Sequence, residues 1–382
     1  MDLGDYRKFT EISMIFSFSV YLFNPILSPY IKSLGFTNLQ TSLIFSILPI
    51  SIIIFSPIMG KLSYLVGRRK IIMIGIIIEI LAIFLYIFDT SWIFISLARI
   101  LDAFGATTVS LITFAKIEDS LDNKKRGEYS GWSLSIGYVG KLAGPILGGL
   151  LADYFFIKAP FYISSVILLG LIFFLFQKDK KRKYKIDRKM LNPLNEIKNF
   201  LSFRKLRGMA ILGMAMHAVN PAISVFLPLL IIEDLGMSIS FIGYAFFFMG
   251  IAHLIQFEFG KLSDKHKPWK IVVLGCILSA LGLGFVSISK NFIILITFLF
   301  IMGIGNSMWN VSAWDLMSNV GEKSKDEGEI LTSYISMAKI GSFASFILSG
   351  LIVSMFGLRV IFILNSIVVL IAVIFAINFF RD

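Results

Sequence analysis

The sequence predicts an all-α membrane protein of twelve transmembrane helices arranged as two pseudo-symmetric six-helix halves. Three observations predict that class: the composition, the length and number of the apolar runs, and the recurrence of short phrases at a nearly constant offset. Of 382 residues, 57% are hydrophobic and only 16% are charged, with a mean hydropathy of +0.83. A water-soluble chain of this length exposes far more charge. Isolated strands cannot satisfy their backbone in lipid, and the runs are too long for barrel strands, so each is read as a helix.

Crossing the hydrocarbon core takes about 20 residues of helix. Twelve runs meet that need, near 10–33, 39–59, 71–88, 91–117, 129–152, 159–177, 208–232, 238–259, 271–288, 291–317, 329–355 and 358–380. They are numbered here as spans 1 to 12. Span 1 follows "MDLGDYRKFTEISMIF", whose Asp2, Asp5 and Glu11 and lack of a small-residue cleavage site make it a retained helix, not a signal peptide. Span 2 closes on "GKLSYLVGRRK" and span 8 on "GKLSDKHKPWK". Span 3 carries Glu79, span 4 carries Arg99 and Asp102, and span 5 carries Lys141 within "GKLAGPILGG". Span 6 runs into the basic stretch "QKDKKRKYKIDRKMLNPLNEIKNFLSFRKLR". Span 7 holds His217, span 9 the single cysteine Cys276, span 10 Asp315 and span 11 Lys339. One cysteine excludes an intrachain disulfide framework and a cysteine-ligated metal cluster. No cofactor or metal is expected.

The repeats define the domains. Gly-Lys-Leu-Ser occurs at 60 and again at 260, and Asn24-Pro25 in span 1 has a counterpart in Asn220-Pro221 in span 7. "RGEYSGWSLSIGYVGKLAGPILGGLL" at 126 is echoed by "EGEILTSYISMAKIGSFASFILSGLI" at 327. The expected organisation is a six-helix bundle over 1–177, a basic linker over 178–207 and a second bundle over 208–382. The net charge of +12 is distributed, not clustered into a nucleic-acid face: 29 of the 36 Lys and Arg fall on one side of the alternating loops and four (Lys32, Lys158, Lys290, Arg359) on the other. By the positive-inside rule, both termini and the linker are expected to be cytoplasmic in a cell-membrane protein. The linker is a solvated topological anchor, or a contact for anionic headgroups.

Two six-helix halves, a basic central loop and a G-x-L-[AS]-D-x-x-G-R-[RK] phrase after the second helix resemble the major facilitator superfamily of secondary transporters. Gly60, Leu62, Ser63, Gly67, Arg68 and Arg69 match the phrase, with Tyr64 where the family has Asp; around Gly260 in the second half Asp264 restores the acid, while Lys267 and Pro268 replace Gly and Arg. The resemblance implies the major facilitator fold, alternating access, and a cytoplasmic gate at this loop; a basic turn that only fixes topology is the other reading. Gly140, Gly144, Pro145, Gly148 and Gly149 are similar to the G-x-x-x-G-P-x-x-G-G stretch of proton-coupled drug and metabolite antiporters. Glycines four apart also let a neighbouring backbone approach, and the proline permits a bend. "LARILDAFGA" resembles the antiporters' R-x-x-Q-G pattern, with Asp102 in place of Gln and Ala103 in place of Gly.

An ionised side chain at mid-bilayer costs about 2.5 to 3.5 kcal/mol on insertion scales, so each needs a partner or a watery cavity. Arg99 and Asp102 lie roughly 12 and 17 Å below the outer end of span 4, and three residues apart they share a face. They are expected to couple protons or recognise substrate charge; a static ion pair is the alternative. Lys141 and Lys339 are either functional or hold neighbouring helices, and they hint at an anionic substrate. Glu79, in a helix peripheral in the resembled fold, reads as structural, and His217 as a hydrogen-bonded histidine or a proton relay. The substrate cavity is expected to use Tyr21, Asn24, Trp132, Tyr138, Asn306, Trp309, Asn310 and Trp314, a mixture suited to an amphipathic organic molecule.

The function these features predict is secondary transport of a small organic solute, coupled to protons and directed outward. Proton-linked nutrient uptake and a non-transporting receptor on a transporter fold remain alternatives. The three histidines are scattered at 217, 253 and 266, and there is no phosphate-cradling loop, so a membrane enzyme and an ATP-driven pump are not expected. Duplicated halves imply that one chain forms a pathway, so the expected state is a monomer.

Overall fold

The computed structural model describes residues 3–88, 90–121, 126–175, 193–324 and 327–380, and every regular element among them is helical. The twelve helices are α1 (Leu3–Ser33), α2 (Asn38–Val66), α3 (Arg68–Phe88), α4 (Trp92–Ser120), α5 (Arg126–Tyr154) and α6 (Ala159–Leu175), then α7 (Arg204–Asp234), α8 (Ser240–Ser263), α9 (Pro268–Val286), α10 (Phe292–Ser324), α11 (Glu327–Phe356) and α12 (Val360–Phe380). Eleven are long and apolar enough to cross a membrane, and α6, at 17 described residues, reaches the lower limit for spanning. A short helix, Pro193–Ser202, precedes α7, and the linker residues 178–192 lie outside the described residues.

Several helices outrun their apolar runs. α1 begins at Leu3, not 10, and α10 continues to Ser324, not 317. Hydropathy marks where lipid ends, whereas a helix continues as long as its i to i−4 bonds are kept. The repeated Asn-Pro pairs interrupt their helices. A 3-10 turn occupies Asn24–Ile26 in α1, and in α7 the stretches Ala222–Phe226 and Leu230–Asp234 are π-helical. Proline removes an amide donor and crowds the preceding turn, so the ladder re-registers there.

The chain forms two compact units. Unit 1 holds residues 1–35, 47–188 and 238–246; unit 2 holds 36–46, 189–237 and 247–382. In unit 1, α5 lies against α1 along its glycine stripe. A Cβ at Gly140 would stand 2.3 Å from Met14 O, at Gly144 2.8 Å from Phe18 O, and at Gly148 1.9 Å from Leu22 O. No larger residue fits this approach, which is the physical content of the small-residue spacing. The first turn of α8 belongs to this unit and seats on α5 beside Pro145: a Cβ at Gly243 would meet Pro145 O at 2.2 Å. In unit 2, α11 approaches α7 at Gly341, where a Cβ would lie 2.5 Å from Met214 O, and Ser345 Oγ donates to Ala218 O.

The duplication extends to the chain's connections. Lys158 Nζ donates to Ile87 O at 2.8 Å and lies over the Tyr30 ring. At the corresponding place in unit 2, Arg359 donates to Ser287 O at 2.7 Å and to Ser289 O at 2.9 Å, and its guanidinium also grips both Asp234 oxygens at 2.9 Å. Each cation ties the start of the last helix of its half to the end of the third.

Candidate functional site

The α3–α4 contact is built on Gly75 and Gly105. A Cβ at Gly105 would stand 2.6 Å from Glu79 Oε2 and 2.9 Å from Gly75 O, so the Glu79 carboxyl lies directly against the α4 backbone. On the facing side of α4, Arg99 Nη1 and Asp102 Oδ2 form an ion pair at 2.5 Å. The hydroxyl of Tyr86, also on α3, donates to the same Asp102 oxygen at 3.2 Å. All four are deeply buried: Glu79 is 0%, Asp102 1% and Arg99 3% exposed, and Tyr86 is enclosed with Phe23, Tyr30 and Phe161. Tyr30 in turn donates its hydroxyl to Tyr86 O.

Asp102 and Arg99 are the charges that act on Glu79. Asp102 and the Ala106 amide are its polar neighbours, yet neither Glu79 oxygen accepts a well-aligned hydrogen bond among the described residues. The cluster therefore holds two acids and one base. Glu79, expected to be a structural residue of a peripheral helix, is part of the same charged group as Arg99 and Asp102. These side chains face α3 and the interior of unit 1.

Unit 2 contains the same contact without the charges. A Cβ at Gly305 would meet Ser279 N at 2.3 Å and Gly275 O at 2.6 Å, the counterparts of the atoms around Gly105. At the offset of 200 residues, Ser279 stands for Glu79, Leu299 for Arg99, Met302 for Asp102 and Val286 for Tyr86. Ser279 Oγ donates to Asn306 Oδ1 at 3.2 Å, which turns Asn306 towards α9.

The other expected site residues divide by neighbourhood. Lys141, partly buried in α5, lies 5.5 Å from the Tyr138 ring centre and 6.0 Å from that of Tyr21, so these three come together. Asn24 is in the 3-10 turn of α1. In unit 2, His217 lies within electrostatic reach of Lys339, and Asn220 Nδ2 is 3.5 Å from His217 Nδ1 and 3.1 Å from Ser342 Oγ. Trp309 is only 6% exposed and packs on α9 at Gly275, whereas Trp314 and Asn310 are exposed and joined by an indole N–H bond of 3.2 Å. Trp132 is 61% exposed.

At the end of each unit nearer the Gly-Lys-Leu-Ser phrase, the residues expected to form a gate find acids that the motif itself does not name. Gly67 takes φ +102° at the α2–α3 turn, a conformation side chains other than glycine resist. Arg68 Nε then pairs with Asp119 at 2.9 Å, and Arg69 is buried beside it. Lys116 pairs with Asp5 at 2.9 Å. In unit 2, Ser263 Oγ donates to Asp315 Oδ2 at 2.6 Å, which places Asp315 with the gate phrase. Asp264 is helical, but its side chain lies outside the described residues. Asp119, Tyr86 and the Ser263–Asp315 contact went unnoticed in the sequence, although aligning α3 and α4 with α9 and α10 exposes the charges as departures from the repeat.

An all-helical, duplicated chain with charged groups sequestered between apolar helices is the architecture of a polytopic membrane transporter. Residues 12–325 match the Major Facilitator Superfamily, and the chain belongs to that family of small-molecule transporters. It is 27% identical over 341 residues to an uncharacterized MFS-type transporter of Methanocaldococcus jannaschii, covering 87% of each chain. It is 26% identical over 372 residues to the multidrug resistance protein MdtG of Escherichia fergusonii, covering 94% of this chain and 90% of the relative. Among solved structures it superimposes on the nucleoside transporter NupG with a TM-score of 0.82 at 13% identity, covering 99% of each chain. A D-xylose-proton symporter gives 0.78 at 14% identity, covering 99% of this chain and 98% of the other. At those identities the structures speak for the fold alone.

Proposed function

We propose that this chain is a proton-coupled exporter of a small organic solute in the cell membrane, with both termini cytoplasmic. It works as a monomer in which the halves 1–177 and 208–382 alternate access about the linker 178–207. The coupling group is the α3–α4 cluster. Arg99 balances one carboxylate, and a proton is the counter-charge that burial of the second requires. The observation that carries this reading is the uncharged counterpart: the same glycine-packed helix pair exists in unit 2 with Ser279, Leu299 and Met302. Packing does not call for the charges, so they serve a different purpose.

Protonation cycles between Glu79 and Asp102, which share Arg99, and Tyr86 connects Asp102 to the helix end carrying Lys158 and Tyr30. Each unit contributes its own pair to gating, Arg68–Asp119 in unit 1 and Ser263–Asp315 in unit 2. Similarity to MdtG supports export over uptake.

The test is lumenal pH in proteoliposomes holding a preset proton gradient, with organic solutes added in turn. Solute-dependent collapse of the gradient is expected for the native chain, and its loss to background in folded Asp102→Asn. Uphill solute movement with unaltered pH dependence in Asp102→Asn would remove Asp102 from the mechanism.

A further inference from the structure

Charges along the membrane-spanning helices sort into two groups. Arg99 has Asp102 at 2.5 Å, Lys116 has Asp5 at 2.9 Å, and Arg68 has Asp119 at 2.9 Å. Lys141 and Lys339 have no carboxylate within ion-pair distance among the described residues, although each sits mid-helix and partly buried. They belong to different units, so two independent positions share the same imbalance. The repeat strengthens the comparison. At the offset of 201 residues, Lys339 corresponds to Tyr138 and Ser342 to Lys141, so α5 and α11 each place one ammonium within the same turn without conserving its exact position.

The surroundings of Lys141 are aromatic. Tyr21 of α1 and Tyr138 of α5 present ring faces at 6.0 and 5.5 Å, and these helices are locked together by Gly140, Gly144 and Gly148. Cation–π contact positions the ammonium, yet it leaves the charge unneutralised. In unit 2, Lys339 has His217 nearby and the Asn220–Ser342 hydrogen bond one turn on, all polar and none anionic.

We infer that the solute is an amphipathic organic anion, an aryl or alkyl carboxylate or phosphonate. Its charged group pairs with Lys141 while its apolar body lies on Tyr21 and Tyr138. The missing counter-charge is then supplied by the cargo. An ammonium with no carboxylate beside it among the described residues also repels lipophilic cations, giving specificity by exclusion.

This inference rests on the transport reading, and the test separates the two. Purified full-length protein is titrated with naphthylacetate, phenylphosphonate and decanoate, each beside its neutral amide or ester and a quaternary ammonium of the same skeleton. Binding is read by intrinsic fluorescence, and flux in proteoliposomes. At least one anion is expected to bind saturably and about tenfold or more tighter than its neutral partner. Lys141→Met should abolish that preference and Lys141→Arg should keep it. Monodisperse elution and an unchanged melting temperature verify that the variants fold. Equal affinity for anion and neutral analogue, or a preference unaffected by Lys141→Met, overturns the anion assignment. Proton-driven flux of cations alone overturns it too, while leaving transport intact. Saturable anion binding with no flux under any gradient supports the anion site and overturns the transport reading instead.

Discussion

At the residue scale, the α3–α4 cluster shows how a buried charge is judged. An acid and a base three residues apart on one helix are visible in the sequence, and Arg99 and Asp102 do pair. That Glu79 and Tyr86 join them depends on how α3 is rotated against α4, which Gly75 and Gly105 determine by letting the backbones meet. Unit 2 supplies the natural control for a mutational test. Replacing the whole group by its counterparts (Glu79→Ser, Arg99→Leu and Asp102→Met together) should give a folded chain with a melting temperature close to native, but no proton coupling. Arg99→Leu alone leaves two acids buried without their cation. It should destabilise by about 3 to 5 kcal/mol, seen as a large drop in melting temperature in detergent. A triple variant less stable than Arg99→Leu would show that the cluster holds the helices together.

At the element scale, glycine content alone is a poor guide and glycine position decides. The four-residue spacing of Gly140, Gly144 and Gly148 is legible as a close-packing stripe, and α1 occupies it. Gly148→Val would place side-chain carbon against Leu22 O, where even a Cβ would be only 1.9 Å away. Overpacking of this kind costs about 1 to 3 kcal/mol or more, so reduced yield of monodisperse protein is expected. Gly60, although part of the gate phrase, has nothing within 4 Å of an added Cβ and has helical backbone. Gly60→Ala should therefore be neutral or stabilise by up to about 1 kcal/mol through helix propensity, with stability measured by thermal unfolding. The gate phrase reads as basic in sequence, but its acids, Asp119 and Asp315, come from α4 and α10. No spacing rule within the loop could have named them, because they meet it only across folded helices.

At the scale of the whole molecule, the duplication carries both the architecture and the division of labour. On the proposed reading one chain forms a complete pathway, so transport is expected to need no second copy. Flux per chain should hold constant as protein is diluted until most occupied vesicles contain a single molecule, whereas a falling value would indicate an obligate oligomer. The apolar runs, the one-sided distribution of Lys and Arg and the phrases repeated near 200 residues determined the helix number, the two halves and the family without any coordinates. Those are properties of hydropathy and period, which the local sequence controls because lipid leaves the backbone few alternatives. Tertiary structure alone decided which charges are neighbours. It drew Glu79 into the cluster with Arg99 and Asp102, turned Asn306 towards α9, buried Trp309, and left Lys141 and Lys339 without an acid at ion-pair distance among the described residues. The reason is geometric: contact across helices depends on rotation and on ångström-scale approach, and neither is encoded by the spacing of residues within one helix.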